Sequence, residues 1–334
     1  MTLPRFARYV ALALLLLAVA VAGIGWWTVL KPLTLPRSPY AFDVKPGMSL
    51  SAVARELQGA DVLPYALPMI ALARFTGVDR AIKAGSYEIE TGITLQQLMG
   101  RLTQGDATQT SFAIIEGTTF ADVRRALRDG GDVRNTVLDI PDSELMSRLG
   151  TPGMAPEGRF FPDTYFFAAG SSDLNLLRRA HNAMNARLAV AWGKRAGGLP
   201  LASPDEALIL ASIVEKETGR PVDRPLIASV FINRLKRGMR LQTDPTVIYG
   251  LGDKFDGNLR RRDLDNDTPW NTYTRDGLPP TPIALPSQAS LDAVLHPPPT
   301  EFIYFVARGD GSSQFSTNLT DHNRAVAKFQ KAAR

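Results

Sequence analysis

The chain of 334 residues contains no cysteine and only three histidines. Without a thiol, it can form neither a disulfide bond nor a thiolate metal site, and it has no cysteine nucleophile. The histidines are His181, His296 and His322, and none belongs to a His-Glu-x-x-His pattern, so we expect no zinc site. We expect no other metal and no cofactor, and carboxylates become the first candidates for catalysis.

The chain also has little charge imbalance outside its N-terminus, although its calculated isoelectric point is 9.5. Residues 1–38 hold four of the 38 basic residues and no acidic residue, so 34 basic residues face 33 acidic ones in the remainder. Proteins that bind nucleic acids usually carry a basic patch or stripe. We therefore expect no nucleic-acid partner.

Residues 9–30 form a 22-residue stretch without a charged side chain. Such a stretch is long enough to cross a bilayer as a helix. A cleaved signal peptide is the alternative, because Ala18–Ala20 offers small residues at cleavage spacing, but the apolar run continues well beyond them. Arg5 and Arg8 favour a cytoplasmic tail of residues 1–8, with the bulk of the chain outside.

Three short segments, residues 44–50, 89–95 and 114–120, align with one another without gaps. Each predicts a strand, a glycine turn and a helix capped by Ser or Thr. Apolar residues follow each cap at positions +1, +4 and +8, the spacing of one buried helical face. We predict repeated α+β units over residues 39–131, and the pattern leaves open whether they bind a ligand or act as a spacer. The apolar positions are Leu50, Val53, Leu57, Leu95, Leu98, Leu102, Phe120, Val123 and Leu127.

A further helix is predicted from Pro204 to about Thr218. Ser203 and Glu206 have the spacing of a capping box, and Pro204 suits the first helical position. At about 100° per residue, Glu217 lies near the middle of an apolar stripe. The other members of the stripe are Ala207, Leu210, Ile213 and Val214.

This position makes Glu217 a candidate general acid. A carboxyl group among aliphatic side chains loses hydration, which raises its pKa and lets it donate a proton near neutral pH. Glu215 lies on the opposite side of the helix, where we expect it to be solvated. The alternative is that Glu217 reaches solvent at the helix end or pairs with Arg220 or Arg224.

Residues 132–334 predict a larger mixed α+β domain. An aromatic-rich segment, residues 156–167, precedes several helices, and residues 278–286 contain too many prolines for a helix or a central strand. The remaining expectations are helices over 142–149, 173–192 and 223–237, an extended run over 240–243, a helix capped by Asp244, a hairpin of 302–306 with 314–316, and a C-terminal helix from about Asp321.

Several of these segments resemble one known family. The similarity is strongest over Ala211–Thr218, Val230–Leu235, Gly238–Gly250 and Asn271–Tyr273, with shorter matches before and after them. On these motifs the chain resembles the YceG-like family of membrane-anchored endolytic murein transglycosylases. The resemblance covers nearly the whole chain, and its motifs are long and specific.

The resemblance implies an α+β fold with an N-terminal transmembrane helix, a small LysM-like subdomain and a catalytic domain. It implies a single-pass protein of the bacterial inner membrane whose C-terminal domain is periplasmic. The implied activity is internal cleavage of nascent peptidoglycan strands at MurNAc-GlcNAc β-1,4 bonds, which leaves 1,6-anhydroMurNAc ends and stops elongation. Peptidoglycan strands, the membrane and peptidoglycan synthases are the implied partners.

The family's catalytic glutamate corresponds to Glu217, the residue that the helical pattern also selects. Two rival functions remain: a muramidase-type hydrolase in which Asp244 is the second carboxylate, and a membrane-anchored peptidoglycan-binding scaffold in which Glu217 is inert. Polar residues in the family motifs are candidates for substrate binding, although turn or cap chemistry also explains each one. They are Gln242, Asp244, Tyr249, Asn271, Tyr273 and Asn318.

Overall fold

A computed structural model describes residues 14, 16, 19, 23, 25–44, 47–83, 85–103, 109–130, 133–168 and 171–331. The chain divides into two compact units. The first comprises Met1–Ser111, Asp132–Arg134 and Phe166–Asn175. The second comprises Phe112–Gly131, Asn135–Tyr165 and Leu176–Arg334. The predicted α+β class is confirmed, because short two-stranded sheets alternate with helices along the chain.

Among its described residues from 40 to 103, the first unit contains a small sheet and three helices. Strands β1 and β2 pair antiparallel, with Tyr40 opposite Ile89. Its core includes Leu57, Met69 and Leu98, which are almost fully buried. In chain order its elements are β1 (Tyr40–Val44), α1 (Leu50–Gly59), α2 (Leu67–Thr76), β2 (Gly85–Ile89) and α3 (Leu95–Thr103).

The predicted repeat of strand, turn and helix is confirmed in all three copies. The third copy consists of β3 (Gln109–Ala113) and α4 (Phe120–Gly130). The turn glycines Gly47, Gly92 and Gly117 have φ values of 80°, 96° and 74°, which favour glycine because a Cβ is strained there. All nine predicted apolar positions are buried. The helical spacing therefore identified the buried face of each helix correctly.

The predicted membrane span, residues 9–30, lies largely outside the described residues. Residues 14, 16, 19, 23 and 25–30 are described and are helical. Within the described part of the chain, no helix combines the length and the apolar character that membrane crossing requires.

The remaining elements follow the repeat. β3 pairs with β4, and β5 pairs antiparallel with β6. Several connections between them are long and irregular, including the predicted proline-rich loop at residues 278–286. The elements are α5 (Asp142–Arg148), β4 (Thr164–Ala168), α6 (Asp173–Gly193), α7 (Pro204–Glu217), α8 (Arg224–Lys236), α9 (Asp244–Leu251), α10 (Arg261–Asp265), α11 (Gln288–Leu295), β5 (Tyr304–Ala307), β6 (Ser313–Ser316) and α12 (Leu319–Val326).

Helix α7 lies at the centre of the second unit's core. It packs against α8, α9 and α11, and every residue from 207 to 214 is buried. Ser203 caps its start, because the Ser203 hydroxyl accepts a hydrogen bond from the Glu206 amide. A helix enclosed on all sides must find a partner for each polar group that it carries or bury that group at a cost. This constraint governs both glutamates near its C-terminal end.

Sequence patterns predicted the second unit's helices better than its loops. The helices predicted near residues 142–149, 173–192 and 223–237 are confirmed, as is the C-terminal hairpin. The extended run over residues 240–243 is wrong, because Gln242 has a φ of 51° and reverses the backbone there. No residue type in that run signals a left-handed conformation, which glycine or asparagine usually provides.

Two glycines with similar backbone angles provide a test of packing in the second unit. Gly158 has a φ of 78°, and a Cβ added there lies 2.5 Å from the Pro282 Cβ. Gly153 has a φ of 81° but has no neighbouring atom within 4 Å of an added Cβ. We expect Gly153→Ala to lose about 1–2 kcal/mol of stability through backbone strain alone. We expect Gly158→Ala to lose about 1–3 kcal/mol more, because the methyl group overpacks the site. Equal losses in denaturant unfolding would contradict this packing.

Candidate active site

Glu217 is the last residue of α7, and the chain becomes extended at Thr218. The Thr243 hydroxyl donates a hydrogen bond to the Glu217 Oε1 atom. Burial raises the pKa of Glu217 to about 7, and the nearby charge of Asp244 also raises it. The Thr243 hydrogen bond and the Arg234 charge lower the pKa of Glu217 and thus limit the shift. Near neutral pH this carboxyl group can both release and accept a proton.

Hydrogen bonds to other residues hold the backbone of Thr243, the residue whose hydroxyl contacts Glu217. It is the N-cap residue of α9 and is 3% exposed. Its amide donates to Thr272 Oγ1 at 3.1 Å, and its carbonyl accepts a hydrogen bond from Thr246 Oγ1 at 2.7 Å. A held backbone leaves the hydroxyl few orientations, so its hydrogen bond orients the Glu217 carboxyl group.

Arg234 projects from α8 and secures the loop that leads to Thr243. Its Nε atom donates to the Ile303 carbonyl at 2.7 Å, and its Nη1 atom donates to the Leu241 carbonyl at 2.9 Å. The guanidinium group lies over the Tyr304 ring, 5.2 Å from its centroid. Arg234 is therefore a positioning residue for the loop, and it also supplies the positive charge that favours ionised Glu217.

Asp244 lies near Glu217 but has its own partner. The Tyr273 hydroxyl donates to Asp244 Oδ1 at 2.6 Å. Burial raises the pKa of Tyr273, and the charges of Asp244 and Glu217 raise it further. The predicted capping role of Asp244 is wrong: Thr243 is the N-cap, and Asp244 is the first residue inside α9. Asp244 therefore lies close enough to Glu217 and Tyr273 for its charge to raise the pKa of both, and we call these three residues the Glu217 neighbourhood.

Gln242 and Tyr249 flank this neighbourhood on the same segment of chain. Gln242 is exposed, and its Oε1 atom accepts a hydrogen bond from Arg234 Nη1 at 3.4 Å. Tyr249 lies further along α9, where its hydroxyl donates to Glu157 and its ring packs edge-on against Trp270. Gln242 is therefore linked to the Glu217 neighbourhood through Arg234, whereas Tyr249 belongs to a different cluster.

Asn271 and Asn318 have structural contacts. Asn271 is fully buried, and its Nδ2 atom donates to the Leu264 and Asn266 carbonyls at 2.9 and 2.7 Å. Asn318 caps α12 by accepting a hydrogen bond from the Asp321 amide at 2.9 Å. No hydrogen bond among the described residues joins either side chain to Glu217. Their role in substrate binding stays a prediction.

The expectation that Glu215 is solvated is wrong. Its side chain is 6% exposed and lies 3.6 Å from Arg224 Nη2. It accepts hydrogen bonds from the Ser287 amide at 2.9 Å and from Ser290 Oγ at 2.7 Å. The pattern failed because α7 is enclosed on all sides, so the face opposite Glu217 is also covered. Glu215 accepts hydrogen bonds from the start of α11. It also pairs with Arg224, one of the two arginines that were alternative partners for Glu217.

Sequence reasoning missed Thr243, Arg234 and Glu157. Thr243 and Arg234 lie inside the motifs that carry the family resemblance, but nothing in their spacing announces contact with Glu217. Glu157 lies beside an aromatic cluster and is 6% exposed. Burial raises the pKa of Glu157 to about 7, while hydrogen bonds from the Phe120 amide and the Tyr249 hydroxyl lower it. Its signal was a carboxylate close to a run of aromatic residues.

Together these contacts define an α+β protein with a desolvated glutamate whose pKa is raised to about 7. Glu217 can exchange a proton, Thr243 orients it, and Arg234 stabilises its ionised form. Within the described part of the chain, no group of three or more His, Asp or Glu side chains is placed to hold a metal ion.

The chain belongs to the YceG-like family, because the family's sequence model matches residues 42–328. An endolytic murein transglycosylase of Bacillus subtilis is 31% identical over 304 residues, with 86% of this chain and 84% of that protein covered. An endolytic murein transglycosylase of Streptococcus pneumoniae R6 is 25% identical, with 84% of this chain but only 57% of that protein covered. The crystal structure of a YceG-like protein from Listeria monocytogenes matches with a TM-score of 0.51 and 27% identity, covering 85% of this chain and 98% of that one.

We expect substitutions of the two glutamates of α7 by glutamine to change the free energy of unfolding in opposite directions. Folded Glu217 keeps a proton that the unfolded chain releases above its ordinary pKa of 4.5, so this contribution is present at low pH and is lost as the pH rises through about 7. A glutamine side chain does not titrate. We therefore expect the free energy of unfolding of Glu217→Gln, relative to that of the native protein, to rise by about 2 kcal/mol from about pH 5 to about pH 8.

Glu215→Gln is the matched comparison. Its free energy of unfolding at pH 7 should fall by about 2–4 kcal/mol, because the substitution weakens the charge-assisted hydrogen bonds from the Ser287 amide, the Ser287 hydroxyl and the Ser290 hydroxyl and removes the counter-charge of Arg224. Denaturant unfolding at several pH values measures both variants. Similar changes for the two variants would contradict the different environments assigned to them.

Proposed function

We propose that the protein is an endolytic lytic transglycosylase that cleaves peptidoglycan glycan strands between MurNAc and GlcNAc. The observation that carries the proposal is the pKa of Glu217, which burial raises to about 7 within a site built by α7, α8 and α9. The names of the Bacillus and Streptococcus relatives support the reaction class. A single acid-base carboxyl group is sufficient for such a reaction, whereas most glycosidases use a pair.

In the first step, Glu217 donates its proton to the oxygen of the β-1,4 bond. The bond between this oxygen and C1 of MurNAc breaks, and the oxygen leaves as the hydroxyl group of GlcNAc. The N-acetyl carbonyl of MurNAc stabilises the positive charge at C1, as in substrate-assisted glycosidases. Glu217 becomes a carboxylate, and the Thr243 hydroxyl and the Arg234 charge stabilise it.

In the second step, the Glu217 carboxylate accepts the proton of the C6 hydroxyl group of MurNAc. The C6 oxygen attacks C1 and displaces the N-acetyl oxygen, which closes the 1,6-anhydro ring. Water is not consumed, and the proton from the C6 hydroxyl returns Glu217 to the protonated state in which it began. Acid-base transfer of this kind contributes about 10²- to 10⁴-fold, so orientation of the strand supplies the remainder.

We also propose a location for the enzyme at the bacterial inner membrane. Residues 9–30 act as an uncleaved anchor in the bacterial inner membrane, and the chain from residue 39 onward lies in the periplasm. The uncharged 22-residue run and the preceding Arg5 and Arg8 support this orientation. The paired strand-turn-helix copies of the first unit serve as a LysM-like subdomain, and peptidoglycan synthases are its proposed neighbours at the membrane.

Mass spectrometry of uncrosslinked glycan strands tests the reaction. We expect the purified protein to release internal fragments that end in 1,6-anhydroMurNAc and Glu217→Gln to lose at least about 10³-fold in rate. Fragments with hydrated reducing ends would favour a muramidase-type hydrolase with Asp244 as the second carboxylate. Absence of fragments from both proteins, with strand binding retained, would favour a peptidoglycan-binding scaffold.

The pH dependence tests the role of Thr243. Because the acid must begin protonated, kcat/KM should fall as the pH rises above about 7. Thr243→Val removes a hydrogen bond that lowers the pKa of Glu217, so the fall should move to higher pH. Thr243→Ser keeps the hydroxyl and should keep the native profile. An unchanged profile in Thr243→Val would contradict the proposed contact.

A further inference from the structure

A cleft in the same unit as Glu217 is built around a different carboxyl group, that of Glu157. It has a volume of about 450 Å³ and is lined in part by Phe120, Arg124, Glu157, Tyr249 and Trp270. Its lining combines three aromatic rings with five charged side chains. Neither of the proposed proton transfers uses any of these residues.

The cleft favours an anion. Three arginines line it, Arg124, Arg125 and Arg128, against the two acidic residues Asp142 and Glu157. Arg128 lies four residues after Arg124 and three after Arg125, so it neighbours both of them on the surface of α4. Arg125 pairs with Asp122 and Arg128 pairs with Asp139, and neither aspartate is among the residues that line the cleft.

Arg124 has a free edge that suits a carboxylate. Its Nη1 atom lies 3.0 Å from Asp142. Its Nε and Nη2 atoms are buried and have no hydrogen-bond acceptor among the described residues. These two nitrogens form the side edge of a guanidinium group, which binds both oxygens of one carboxylate. A buried donor without an acceptor costs free energy, because it has lost its hydrogen bonds to water. A carboxylate oxygen that reaches this edge of Arg124 would accept the missing hydrogen bonds.

The remaining contacts hold Arg124 and the cleft wall in place. The guanidinium carbon lies 5.1 Å from the centroid of the Phe120 ring. The Phe120 amide donates to Glu157 Oε1 at 3.0 Å, and the Tyr249 hydroxyl donates to Glu157 Oε2 at 3.2 Å. Glu157 thus joins the start of α4 to α9, and it gives the cleft a fixed wall beside the arginine.

Helix α9 relates this cleft to Glu217. It begins at Asp244, in the Glu217 neighbourhood, and carries Tyr249 five residues later. At 1.5 Å per residue these positions differ by about 7.5 Å along the helix axis. A strand that is cut internally continues on both sides of the cut bond, and one short helix, α9, carries a residue of the Glu217 neighbourhood and a residue that lines the cleft.

We propose that this cleft is a distal subsite that binds a carboxylate of the peptidoglycan strand through Arg124. The inference rests on the proposed peptidoglycan substrate and adds to it a determinant of specificity. The carboxylate has two possible sources: the lactyl group of a MurNAc without a peptide, or the stem peptide where one is attached. Neutral sugars lack the group and do not use the arginine.

Calorimetric binding to the full-length Glu217→Gln protein in detergent tests the proposal. The probes are a GlcNAc tetrasaccharide, a peptide-free GlcNAc-MurNAc tetrasaccharide and the same tetrasaccharide with stem peptides. We expect Arg124→Met to weaken binding of at least one carboxylate-bearing probe about 10-fold or more and to leave the neutral probe unchanged. The weakened probe identifies the lactyl group or the peptide as the source.

Arg148→Met is the matched control, because Arg148 is a partly exposed arginine paired with Glu144 and does not line the cleft. It should bind every probe as the parent does. Arg124→Lys keeps the charge but lacks the planar edge, so its affinity for the weakened probe should lie between those of the Glu217→Gln protein and of Arg124→Met. It provides the test if Arg124→Met does not fold. Unchanged affinities, or an equal loss for the neutral probe, would overturn the proposal. Turnover by Glu217→Gln would instead overturn the proposed function, and the binding comparison would still stand.

Discussion

The withdrawal of Glu217 from water is the constraint on which the proposed chemistry depends. Helix α7 packs against α8, α9 and α11, and the carboxyl group of its last residue accepts a hydrogen bond from Thr243 at the start of α9. Desolvation disfavours the charged form and raises the pKa of Glu217 to about 7. The same group can then serve as acid and base without a second carboxylate.

The two glutamates near the end of α7 show how one buried helix assigns different roles to the same side chain. Glu215 receives hydrogen bonds from Ser287 and Ser290 and lies near Arg224. Glu217 has one hydroxyl partner, Thr243, and a more distant positive charge from Arg234. A carboxylate with several donors stabilises the fold, whereas one with few donors is free to exchange its proton.

The sequence predicted those features that depend on local periodicity. The buried faces of the three repeated helices and the cap at Ser203 follow from spacing alone, and the structure agrees with them. It did not predict the burial of Glu215, the reversed backbone at Gln242 or the contact between Thr243 and Glu217. Each of these depends on how distant segments pack, for which a single sequence carries no periodic signal. The pairing of Glu157 with Tyr249 was hidden for the same reason.

The pKa of Glu217 is the most direct test of this account. Glutamate side chains labelled with ¹³C at the carboxyl carbon can be titrated by NMR in the native protein and in Glu217→Gln, which assigns the Glu217 signal by its absence. The account predicts that this signal titrates near pH 7. A Glu217 signal that titrates near its ordinary value of 4.5 would contradict the account, because the group would then be ionised when the reaction needs it as an acid.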